Sequence, residues 1–106
     1  MAASQPFPAG RAMDQEDRYF EAIIRSGSGP TVPVQVRDIS IAGCLVNKPG
    51  TLLRPDDPIR IKLADLSYMS GSVIWVEGDQ AGIAFDQLLY EPVLDHLQRA
   101  FVALPQ

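Results

Sequence analysis

The sequence predicts a mainly β protein, a six-stranded antiparallel β-barrel with a C-terminal α-helix, and three observations carry that expectation. Short apolar runs alternate with polar residues at period 2, turn-forming residues punctuate them at short intervals, and apolar spacing becomes helical only near the C-terminus. A chain of 106 residues, 46% hydrophobic and 21% charged, suits one soluble domain with its own core and is too short for two. Residues 1–17 read as a flexible N-terminal arm and 18–106 as the barrel domain.

In the arm, Pro6, Pro8 and Gly10 interrupt any apolar core of the roughly 7–15 residues a signal peptide needs. A charged knot from Arg11 to Arg18 leads into an apolar-rich run at 19–25, short enough to be a strand. Ser26, Gly27, Gly29 and Pro30 then supply a turn. Val32, Val34 and Val36 alternate with Pro33, Gln35 and Arg37, and Pro33 points to an edge or bulged position in a strand over 32–39. Apolar parity switches at Ile39 and Ile41, as expected where a strand bends or bulges around a barrel corner.

A strand over Gly43–Asn47 follows. Pro49-Gly50 and Pro55-Asp56-Asp57-Pro58 are turn chemistry around Leu52-Leu53, and Ile59, Ile61 and Leu63 alternate with Arg60 and Lys62 in a strand over 59–63. In the longer strand over Tyr68–Glu77, Val73-Ile74-Trp75-Val76 is apolar on both faces. One face should therefore meet the barrel and the other be covered, with Trp75 largely buried beneath the helix. Gly78-Asp79 signals a hairpin returning through 81–85. From Glu91, Val93, Leu94, Leu97 and Phe101 recur at helical spacing after Pro92 at a first-turn position, which predicts a helix over 91–103.

Composition excludes several functions. The net charge is −4 and the pI about 4.7, so the basic field that DNA or RNA binding requires is missing. The absence of any run of ~20 apolar residues argues against membrane insertion. Cys44, the only cysteine, rules out an internal disulfide and reads as a small buried hydrophobe in a reducing compartment, so the expected location is cytoplasmic. Enzymatic chemistry is not expected either. Ser40 lacks a Gly-x-Ser-x-Gly elbow, and the single His96 falls on the helix. The acidic group Asp14, Glu16 and Asp17 has no matching partner, so neither a catalytic residue nor a metal or cofactor is expected.

The stretch Asp38-Ile39-Ser40-Ile41-Ala42-Gly43 stands out. Asp38 and Ser40 are able to bond neighbouring amides, and Gly43 to take a positive φ or admit a ligand close to the backbone, so the segment reads as a turn suited to holding an anion. An Asp/Asn-x-Ser-x-x-Gly pattern arises by accident in roughly one chain of this length in twenty, so its context must decide between a ligand site and a plain turn with a glycine bulge.

That context resembles the PilZ domain, a bacterial module that in many members binds the second messenger cyclic di-GMP. The resemblance covers roughly 18–101 and rests on Asp38-x-Ser40-x-x-Gly43 after a first hairpin, Gly71-x-Val73-x-Trp75, Gly82-Ile83-Ala84-Phe85 and a terminal helix. It implies the same barrel-plus-helix fold. It also implies ligand contacts from Asp38, Ser40 and Gly43 and from an Arg-x-x-x-Arg motif before the first strand, whose arginines pair with phosphate or with guanine O6 and N7. Arg18 occupies the place of the second arginine, whereas Asp14 stands where the first belongs and Arg11 is a substitute from farther along the arm. Two readings stay open: a module that binds cyclic di-GMP with reduced affinity and relays it by contact with an effector protein, or a degenerate domain that binds no nucleotide and acts as an adaptor.

Overall fold

A computed structural model describes residues 18–27, 29–47 and 53–103; residues 1–17, 28, 48–52 and 104–106 lie outside that range. Six strands follow in order: β1 (Arg18–Ser26), β2 (Thr31–Ile39), β3 (Gly43–Asn47), β4 (Pro58–Leu63), β5 (Tyr68–Glu77) and β6 (Gln80–Phe85). All pair antiparallel in the order β2-β3-β6-β5-β4-β1, and β1 returns to pair with β2, closing the barrel. Strand alternation explains the interior. Phe20, Ala22 and Ile24 of β1 face Val34 and Val36 of β2, Val46 of β3 and Ile59, Ile61 and Leu63 of β4, all buried, while Glu21, Arg25, Pro33 and Arg60 are exposed. Pro33 lies on β2 beyond Gln35, where the ladder to β3 ends at Asn47, so its missing N–H breaks no bond there.

The turns carry the chemistry expected of them. The β5–β6 hairpin turns at Gly78 with φ of 59°, and β2 bulges between Val36 and Asp38, where the parity switch predicted it. A second bulge lies between Val73 and Trp75 in β5. It sets Trp75 opposite Gly82. Most of the indole is buried, with Nε1 shielded from solvent and without a hydrogen-bond partner among the described residues, and it lies against Gly82, where an added Cβ would collide with Nε1, with Cε2 at 2.6 Å and with Cδ1 at 2.9 Å. The bare glycine makes room for the ring.

The helix α1 (Glu91–Gln98) is shorter than predicted, and the chain then forms a two-residue strand β7 (Val102–Ala103) against Arg18 and Tyr19. The helix closes with Arg99 N–H shared between the Asp95 and His96 carbonyls and Ala100 N–H on Leu97 O, a tightened last turn. Beyond it, β1 has an open edge, because β4 pairs only from Ala22 onward, and β7 takes that edge. Phe101 keeps its expected packing role from outside the helix, with its ring edge-on to Phe20 at a centroid distance of 4.9 Å.

Gly71 offers a test of the barrel's closeness. It is buried in β5 between Ile59 of β4 and Phe85 of β6, and a Cβ there would sit 2.6 Å from the backbone carbonyl oxygen of Ala84. A backbone atom in a closed ladder has little room to yield, so Gly71→Ala should cost at least about 1–3 kcal/mol, read as a lower urea midpoint. An unchanged midpoint would show that β5 and β6 are not this tightly apposed.

Candidate functional site

Strand direction gathers the sequence-predicted residues at one end of the barrel. The start of β1, the end of β2, the start of β3 and the end of β6 all lie there, and the segment leading from β6 into α1 joins them through Leu89 N–H, which donates to Ile41 O at 2.9 Å. Phe85 N–H donates to Ala42 O at 2.9 Å, so the end of β6 holds the same turn from below. The turn itself is a serine turn. Ser40 N–H donates to Gly43 O at 2.8 Å, and Ser40 Oγ accepts Ala42 N–H at 3.2 Å while lying 3.4 Å from Gly43 O. These bonds fix the loop that follows Asp38.

Gly43 departs from one expectation. Positive φ among the described glycines occurs at Gly27 and Gly78; Gly43 is instead the buried first residue of β3, paired with Ala84. The reversal is achieved by the Ser40 bonds, which leave the glycine extended.

Asp38 follows the β2 bulge and is half-buried, and its Oδ1 accepts Ile39 N–H at 2.9 Å. Burial raises its carboxyl above the usual range, and the Ile39 bond offsets only part of that rise. The folded chain thus binds this proton more tightly than the unfolded chain, so ionising Asp38 lowers stability as pH rises through its folded pKa, and nothing is lost below the ordinary value of 3.8. Asp38→Asn keeps an oxygen for Ile39 and should raise the melting temperature at about pH 7 but not at about pH 3, which thermal melts at the two pH values check. A gain equal at both would assign the effect to packing instead. Cys44, paired with Ile39 across the ladder, has its thiol pushed far up by burial and then by the Asp38 charge, which leaves it unreactive.

Arg18 begins β1 on the same end. The β1–β2 ladder runs to Phe20↔Val36, and two further residues along each strand lead to Arg18 and Asp38. Its guanidinium lies over the Phe101 ring at 5.2 Å, a cation–π contact that restrains the side chain while leaving the edge of the fork for an acceptor. Its carbonyl accepts Arg37 Nε–H at 3.0 Å. The Arg37 bond is not legible in the sequence, where Arg37 only alternates with the buried valines of its strand, because its acceptor is the Arg18 carbonyl on β1. The Phe101 platform was equally hidden, because it depends on β7. Arg18, Asp38, Ser40 and Gly43 thus lie at one end of the barrel, and Arg11 and Asp14 lie outside the described residues.

Among the described residues, no group of three or more His, Cys, Asp or Glu is arranged to hold a metal ion, and no helix is long and apolar enough to cross a membrane. The fold is a small closed antiparallel barrel with one flanking helix, and these residues gather at one end of it. A family model described as the PilZ domain matches residues 17–102, and the chain belongs to that family. No curated protein matches the chain.

Proposed function

We propose that this chain is a cytoplasmic signalling module that binds cyclic di-GMP with reduced affinity and relays the signal by contact with an effector protein. One observation supports the reading above the others: a restrained guanidinium and a carboxylate, Arg18 and Asp38, begin and end adjacent strands at one end of the barrel. The ligand carries two anionic phosphates and two guanines. Arginine matches a phosphate or guanine O6 and N7, whereas an aspartate accepts from the guanine N–H groups, so the two side chains divide the ligand between them. Ser40 holds the intervening turn in shape.

The reduced affinity comes from the arm. Asp14 puts a negative charge where binding members of the family carry an arginine, and Glu16 and Asp17 add to the repulsion. Isothermal titration of the purified chain with cyclic di-GMP at low salt tests the proposal. Saturable heat that weakens as salt rises is the expected result; absence of binding at millimolar protein and ligand transfers the function to the adaptor alternative.

A further inference from the structure

We infer that Arg37 is a second cationic ligand contact of this site, taking a phosphate of the ligand whose other charged group Arg18 engages. The inference rests on the cyclic di-GMP reading and adds to it a residue outside the Asp38-to-Gly43 motif. The β2 bulge lies between Val36 and Asp38, at Arg37 itself, and Arg37 Nε–H is spent on the Arg18 carbonyl at 3.0 Å. That bond anchors the guanidinium beside the first residue of β1. The end-on pair of Nη groups remains, and no partner for it is found among the described residues.

Two cations are thus held on neighbouring strands with no described carboxylate neutralising either, since the ion pairs found are His96 with Asp65 and Arg99 with Asp95. Asp38, adjacent in sequence, makes no ion pair with either arginine; its one described side-chain bond is the one Oδ1 accepts from Ile39 N–H. A dianionic ligand supplies the counter-charge that no described carboxylate provides. In a chain of net charge −4, this pair of cations is a local reversal of sign at the mouth of the proposed site.

A purely structural role, a clasp tying β2 to β1, predicts something different. Arg37→Gln and Arg37→Lys should be compared with wild type by thermal melting and by titration with cyclic di-GMP. The expected result is an unchanged melting temperature, at least tenfold weaker binding for Arg37→Gln, partial recovery in Arg37→Lys, and a shallower salt dependence for Arg37→Gln. Arg37→Gln binding as tightly as wild type while Arg18→Gln does not would overturn the inference and leave the ligand reading standing. If wild type gives no saturable signal, the ligand reading fails for the chain as it stands, and the same comparison is made in the Asp14→Arg background. Equal affinity with and without Arg37 there, or no binding at all, overturns the inference as well.

Discussion

Leu97→Ala should be the most damaging single truncation of the helix, lowering stability by about 2–5 kcal/mol. Leu97 is the one helical side chain in the buried core, with none of its surface exposed, and it joins residues contributed by all six barrel strands. An eight-residue helix is too short to persist in water on its own propensity, so its stability comes from this contact and the flanking Val93 and Leu94. A small domain holds only about 5–15 kcal/mol in total, so much of the margin would go. Urea denaturation followed by the fluorescence of Trp75, the only tryptophan, measures the change. The effect should reach the site as well. Phe101 and β7 follow the helix directly, and both restrain the first residues of β1, so loosening α1 frees the platform under Arg18. A midpoint within error of wild type would mean that α1 is not part of the folded core.

What could be read from the sequence, and what could not, follows the range of the forces involved. Val32, Val34 and Val36 announced their strand because alternation is a local property, and the parity switch at Ile39 announced the bulge before Asp38 for the same reason. The C-terminal boundary failed because Val102 and Ala103 are decided by the unpaired edge of β1, far away in the chain. The burial of Trp75 follows from an apolar run on both faces, whereas its placement against Gly82 depends on a bulge that such a run does not reveal. At the site, Asp38 and Ser40 were legible because their bonds run to Ile39, Ala42 and Gly43 close by. Arg37 was not. Its partner is the carbonyl of Arg18 on another strand, and neither residue type nor spacing signals such a bond.

The largest expected gain of function comes from Asp14→Arg. If the charge at this position is what limits the proposed site, the substitution removes one repulsion and adds a guanidinium able to pair with phosphate or guanine. Affinity for cyclic di-GMP should rise by about 2 kcal/mol or more, which is more than tenfold, and the gain should shrink as salt increases. Arg18→Ala in the same background should abolish it. Arg18 is restrained by Phe101 and by the β1 ladders to β2 and β7, so it supplies the fixed half of any clamp to which the arm contributes the other. Titration calorimetry on the two variants decides the matter, with circular dichroism confirming that each remains folded. A folded Asp14→Arg protein that still binds nothing would show that the defect extends beyond one charge. The barrel end holding Arg18, Asp38 and Ser40 would then be a surface for a protein partner.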